Sequence, residues 1–225
     1  MNYDVLLVDD HPLFRAALKG AVGAACADCV FFEADCVAGL FDALEQHPNV
    51  DLLLLDLNLP GAYGLCALAH LRGSYPQLPV IVVSAMDDPR TVRQVMAFGA
   101  QGFISKSADA ATIGSDVLSV LRGDSVAPKA IEMHEDALPD VAALDFAQRL
   151  AQLTAQQFRV FGMLCSGRLN KQIAYELQIT EATVKAHMTA ILRKLGAANR
   201  TQAVSLAGRL VLDPHEIRPP PEESE

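Results

Sequence analysis

From Val50 to Asp56 the chain reads Val-Asp-Leu-Leu-Leu-Leu-Asp, and Leu57-Asn58-Leu59-Pro60-Gly61 follows. A short, unbroken apolar run bounded by turn residues suits a strand buried on both faces of a parallel sheet. Asp56 then stands at the carboxyl end of that strand, where open α/β sheets place their binding crevices. The competing reading is that Asp56 only starts a turn, as aspartate often does.

Three further stretches bear on that choice. Val5-Leu6-Leu7-Val8 is an apolar strand running into Asp9-Asp10, Val80-Ile81-Val82-Val83 ends in Ser84, and Gly102-Phe103-Ile104-Ser105 ends in Lys106. Three acids, a hydroxyl and a lysine therefore stand at the same end of successive strands. Phosphoryl transfer to a carboxylate needs such a set. Neighbouring carboxylates hold a hard divalent cation through oxygen. The cation and a lysine offset charge on the group in transit, and a hydroxyl donates to one of its oxygens.

Asp9-Asp10, Asp56, Ser84 and Lys106, in this order, resemble the receiver domain of a two-component response regulator. The wording Asp9-Asp10-His11-Pro12-Leu13-Phe14-Arg15 is similar to the NarL/FixJ group, whose receivers carry a LuxR-type DNA-binding domain. The resemblance covers roughly the first 125 residues, and its strength lies in five positions occurring together. It implies that Asp56 accepts a phosphoryl group from a sensor histidine kinase or a phosphotransfer protein. It also implies that Asp10, Asp56 and the Asn58 carbonyl ligate Mg²⁺, with Asp9 acting mainly through water. Lys106 would pair with Asp56 or the phosphoryl oxygens. Ser84 would move toward the phosphoryl group, with Phe103 turning inward behind it.

The alternation of short apolar strands with amphipathic helical stretches supports the same fold. Strands are expected at 3–8, 30–34, 51–56, 79–84 and 102–105, and helices at about 12–24, 36–47, 63–73, 88–98 and 108–122. Five β-α repeats imply a flavodoxin-like, doubly wound parallel sheet. Pro12 fits a first helical turn, Asp87-Asp88-Pro89 fits a capped start, and Gly61 and Gly64 give the loop after Asp56 its freedom. The expected domains are a receiver over 1–122, a partly helical linker over 123–148 with Val141 to Leu150 as its helix, a helix-turn-helix domain over 149–212, and a disordered tail over 213–225.

Charge separates the two modules. Residues 149–209 carry nine Lys/Arg against two acids, a net +7, which leaves −16 for the rest of a chain whose total is −9. A basic segment suits a polyanion, since phosphate neutralisation dominates non-specific nucleic-acid affinity. No apolar stretch approaches the roughly 20 residues that span a bilayer. The N-terminus enters a strand without a basic, cleavable leader, so a soluble, intracellular protein is expected. Five cysteines cannot all pair, and reduced thiols are expected. Cys26-Ala27-Asp28-Cys29, with Cys36 nearby, has only half the ligands of a zinc site.

In the basic module helical periodicity runs through Phe158, Phe161, Leu164, Ile173, Leu177, Val184, Met188, Ile191, Leu195 and Val204. Asn170-Lys171-Gln172-Ile173-Ala174, Thr183-Val184-Lys185-Ala186-His187, Lys194-Leu195 and Asn199-Arg200-Thr201-Gln202-Ala203 look like the LuxR-type helix-turn-helix. Residues 170–177 would cross the DNA backbone, and 181–195 would be the recognition helix, entering the major groove by its N-terminal part. Thr183, Lys185, Ala186 and Thr189 lie on its outward side. Lys185, Arg193 and Lys171 are natural phosphate or base contacts, and Asn170, His187 and Lys194 complete the candidate surface. A merely solvated helix face is the alternative reading.

Two departures from the family pattern stand out. Leu153-Thr154-Ala155-Gln156-Gln157 occupies the place of Leu-Thr-Pro-Arg-Glu, removing an ion pair and helix-start charge. Ser107 follows Lys106 where many receivers have proline, and without proline a trans bond is expected.

The sequence thus points to a transcription factor, not an enzyme, that binds double-stranded DNA and is a homodimer when active. Two alternatives remain at this stage. One is a phosphorylation-independent DNA-binding or scaffold protein with a vestigial receiver. The other is an aspartyl-phosphate phosphohydrolase, which Asn58 disfavours because that class places a second acid there.

Overall fold

The computed structural model describes residues 2–127 and 141–212. The expected tail and the middle of the expected linker lie outside the described residues.

Five strands form one parallel sheet: β1 (Tyr3–Val8), β2 (Cys29–Ala34), β3 (Leu52–Asp56), β4 (Val80–Ser84) and β5 (Gly102–Ser105). Their order is β2-β1-β3-β4-β5, the flavodoxin-like order. Register places Val8 beside Leu55, Asp56 beside Val83, and Ser84 beside Ser105. The carboxyl ends of β1, β3, β4 and β5 are therefore level. All of β3 and β4 is buried, which is why both read as unbroken apolar runs rather than as alternation. Val5, Leu7, Leu52, Leu54, Ile81 and Val83 join Leu18, Val22, Ile113 and Val117 in one apolar core.

The helices that carry those last four residues are α1 (Pro12–Ala25) and α5 (Ala110–Leu121). Between them come α2 (Val37–Gln46), α3 (Cys66–Ser74) and α4 (Pro89–Ala97). Pro12 occupies the first turn of α1, and Asp88 caps α4 by accepting from Arg90 N–H and Thr91 N–H, each at 3.1 Å. α3 begins later than periodicity suggests. Gly61, Tyr63 and Gly64 all take left-handed φ angles, so the chain cannot enter a helix until after them. Beyond α5, Val126 pairs with β5: Phe103 N–H donates to its carbonyl at 3.1 Å, which ties the start of the expected linker to the sheet.

The described chain divides into two compact units, 2–60 with 75–127 and 61–74 with 141–212. Sequence pattern groups 61–74 with the first module, whereas in the structure they cluster with the second unit, where α3 packs on α6 (Val141–Leu150). The remaining helices are α7 (Ala155–Cys165), α8 (Asn170–Glu176), α9 (Glu181–Leu195) and α10 (Arg200–Ala207), followed by a single 3-10 turn. Phe146, Phe158 and Phe161 form an aromatic centre with ring centroids 6.3–6.4 Å apart. Val184, Ile191 and Leu195 of α9 are buried in the same unit, as the stripe on that helix predicts.

Candidate functional site

The level strand ends gather the acidic groups. Asp9 and Asp56 are each 1% exposed, Asp10 projects further, and the ligating atoms of Asp9, Asp10, His11 and Asp56 all lie within 4.8 Å of one another. Lys106 reaches in from β5, with Nζ 2.7 Å from Asp56 Oδ2 and 2.8 Å from Asp9 Oδ2. Burial works against its ammonium, but bonding and attraction to Asp56 and Asp9 prevail and hold its pKa above the ordinary lysine value. The other Asp56 oxygen, Oδ1, accepts from Asn58 N–H at 3.2 Å. Ser84 is fully buried, and its Oγ accepts from Met86 N–H at 3.1 Å. Phe103 already points inward, at 1% exposure.

The chemistry of this cluster suits a divalent cation. Three carboxylates face one ammonium, which leaves a net −2 with His11 neutral. Asp9 Oδ2 and Asp10 Oδ1 are also buried oxygens without a hydrogen bond of good geometry. A hard cation with oxygen ligands satisfies both conditions.

Three side chains in this region were given no role by the sequence reading. His11 adds an imidazole to the cluster, Nδ1 lying 2.7 Å from Asp10 Oδ1, while the His11 backbone N–H donates to Asp9 Oδ1 at 2.7 Å. Phe14 places its ring centroid 4.8 Å from Lys106 Nζ, close enough for a cation–π contact. Arg15 donates to the Asp9 carbonyl at 2.6 Å and to Glu33 at 2.8 Å, anchoring the acidic turn to β2. The only sequence signal for them was their place in the run from Asp9 to Arg15. The bond between Lys106 and Ser107 is trans, as expected without proline; no described peptide bond is cis.

The second site is α9 and the helix before it. Thr180 caps α9, accepting from Thr183 N–H at 3.1 Å, and Gly196 ends it in a left-handed conformation. Thr183, Lys185, Ala186, Thr189 and Arg193 are exposed on α9, with Lys171 exposed on α8. Asn170 and His187 are half-buried. Thr189 Oγ1 donates to the Lys185 carbonyl at 3.0 Å, leaving lone pairs and a methyl to face outward. Lys194 differs from its neighbours. Its ammonium donates to the Gln152 carbonyl and to Gln157 Oε1, both at 2.7 Å, so it clasps the start of α7.

Gln157 accounts for one departure noted above. It completes a capping box with Thr154, donor and acceptor reciprocated at 3.1 and 3.2 Å, so α7 is capped without the usual glutamate. Arg200, in the stretch matched to the family but given no role, donates to the Leu164 and Arg168 carbonyls at the end of α7.

Comparison with known proteins agrees with this geometry. Residues 5–117 match the model of the response regulator receiver domain, and residues 151–207 match that of the bacterial regulatory proteins of the luxR family. The chain is 39% identical to a glycerol metabolism activator of Pseudomonas putida, over 92% of this chain and 95% of that one. It is 30% identical to the nitrate/nitrite response regulator NarP of Escherichia coli, over 91% and 94%. RcsB of Salmonella enterica serovar Typhimurium, solved bound to a promoter, shares the fold at a TM-score of 0.54 and 18% identity, with 94% of this chain and all of that one covered. No described helix is long and apolar enough to cross a membrane. A flavodoxin-like sheet with an acidic crevice, a helix-turn-helix and full-length relatives of the same build place this chain among the response regulators with a LuxR-type domain, as a DNA-binding transcription factor.

Proposed function

We propose that Asp56 is the phosphoacceptor of this response regulator, with a sensor histidine kinase or phosphotransfer protein as donor. The observation that carries this reading is the position of the carboxylate: at the end of β3, buried, one oxygen on Lys106 at 2.7 Å and the other on a backbone N–H. An Asp56 oxygen bonds to phosphorus as the P–N bond of a phosphohistidine breaks, leaving an aspartyl phosphate and a free imidazole. Asp10 and Asp56 would hold Mg²⁺ directly with the Asn58 carbonyl, and Asp9 through water; the ion supplies positive charge for the phosphoryl oxygens. Lys106 exchanges its contact with Asp56 for one with the phosphoryl group. Ser84 Oγ turns to donate to the same group, releasing Met86 N–H, while Phe103 is already buried.

Charge delivered to a site that is already acidic moves the β4–α4 loop, and dimerisation with DNA binding is the readout. On DNA, Lys185, Thr183, Ala186 and Thr189 face the major groove. Lys171, Asn170 and Arg193 contact phosphates, and His187 flanks them; Lys194 contributes by fixing the helix. By function the chain divides as its sequence does, a receiver over 1–122, a linker over 123–148 and a DNA-binding domain over 149–212, although 61–74 and α6 cluster with the second unit in the structure, and the protein works in the cytoplasm. The relative named as an activator at 39% identity supports activation over repression.

Incubating the protein with a small acyl phosphate and Mg²⁺ tests the assignment. One phosphoryl group per chain is expected, lost in Asp56→Asn with the fold kept. Mass spectrometry that finds the group on another residue of Asp56→Asn overturns it.

A further inference from the structure

Cys26 and Cys29 bracket the turn between α1 and β2, at the end of the sheet opposite Asp56. Cys26 is the C-cap of α1, and Cys29 opens β2, where it pairs with Tyr3 at the start of β1. Cys29 N–H donates to the Cys26 carbonyl at 3.4 Å, which closes a four-residue turn. Such a turn holds its end Cα atoms within about 7 Å, and a disulfide needs about 4.4–6.8 Å. The two side chains thus stand at the two ends of one tight turn. Both residues are partly exposed, unlike Cys66 and Cys165, which are buried. Cys36, the third accessible thiol, is committed elsewhere: its sulfur accepts from Gly39 N–H as the N-cap of α2.

We infer that Cys26 and Cys29 form a reversible dithiol–disulfide site, closed by exchange with a low-molecular-weight disulfide of the glutathione class. Burial, and then the neighbouring Cys26 thiol, push the Cys29 thiol up to about 12, so it stays protonated at neutral pH. Cys26 is therefore the entry point. Its sulfur attacks the small disulfide, and one thiol departs with the Cys26 proton while a mixed disulfide forms on Cys26. The Cys29 sulfur then attacks Cys26, the mixed disulfide breaks, and the second small thiol leaves with the Cys29 proton. Two protein thiols are oxidised and one small disulfide is reduced to two thiols. The product pins α1 to β2 at one end of their shared turn, while Arg15 and Lys19 already pin them through Glu33 at 2.8 and 3.0 Å.

Full-length protein equilibrated with mixtures of oxidised and reduced glutathione tests this, with intact mass and peptide mapping as the readouts and the free peptide Cys-Ala-Asp-Cys as control. The wild type is expected to lose two of its five thiols, linked between 26 and 29, and Cys36→Ser to do the same. Cys29→Ser should accumulate glutathione on Cys26, and Cys26→Ser should leave Cys29 free. A stable glutathione adduct on the wild type, a link that includes Cys36, or five free thiols under conditions that oxidise the peptide would each overturn the inference.

Discussion

Replacing Lys106 with methionine keeps an apolar stem and removes the ammonium that bridges Asp9 and Asp56 and lies over the Phe14 ring. The cluster then passes from a net −2 to a net −3, with two of its three carboxylates about 99% buried. Removing one partner of a buried ion pair costs about 3–5 kcal/mol. The lower end applies, because Lys106 keeps 16% of its side chain in solvent. A loss of about 3 kcal/mol lowers the melting temperature of a domain this size by about 10 °C. The deficit should depend on metal. On the proposed reading Mg²⁺ binds the folded cluster and not the unfolded chain, so it would stabilise by mass action, and more strongly where no lysine competes for the carboxylates. Calorimetry of wild type, Lys106→Met and Lys106→Arg, each in chelator and in excess Mg²⁺, reads both effects. Lys106→Met should melt about 10 °C low in chelator and recover part of that in Mg²⁺, with Lys106→Arg between the two. If Lys106→Met melts with the wild type in chelator, or gains no more from Mg²⁺ than the wild type does, the charge argument for this site fails.

Other expectations concern single caps, turns and contacts. Asp88→Ala should cost about 1 kcal/mol in urea unfolding by removing the cap of α4. The hydrogen bond from Thr91 holds the Asp88 carboxyl below its ordinary value, so its contribution is present above the unfolded value of 3.8 and fades as pH falls through the lower folded one. The gap between variant and wild type should close in acid, and a constant gap down to pH 2 counts against it. Gln178 holds a φ of 54° in the turn between α8 and α9, so Gln178→Gly should stabilise the second unit by about 1 kcal/mol. Unchanged or lower stability by calorimetry would refute that. Lys185→Ala should weaken DNA binding, and for a phosphate contact the slope of log K against log salt should fall by about one unit. Footprints identical to wild type at every salt concentration rule out α9 as the reading helix.

Periodicity carried most of the fold because burial on both faces leaves a plain mark. The four leucines of β3 and the stripe from Val184 to Leu195 each have one physical explanation. The start of α3 was less legible, since a left-handed tyrosine at position 63 has no sequence signature and only the neighbouring glycines hint at it. In the site, the acids and Lys106 were legible because they end strands whose ends must be level. What escaped were partnerships across long chain separations. Nothing local in Lys194 marks it as bound to Gln152 and Gln157, so it reads like the exposed Lys185. Gln157 reads as a lost glutamate until its amide is seen to cap the same helix.

The span of the acidic cluster along the chain also sets a schedule for its assembly on the ribosome. Asp9 and Asp10 are made first, Asp56 follows, and Lys106 comes 50 residues after that. At about 5–20 residues per second, Asp56 waits about 3–10 s for its lysine, and Asp9 and Asp10 wait about twice as long. Until β5 is added, the emerging chain holds three acids with no ammonium among them, and their mutual repulsion opposes the packing of β1 against β3. Cellular Mg²⁺ can bridge that interval, so a cation whose proposed role is signalling would serve earlier as a folding aid for the half-made domain.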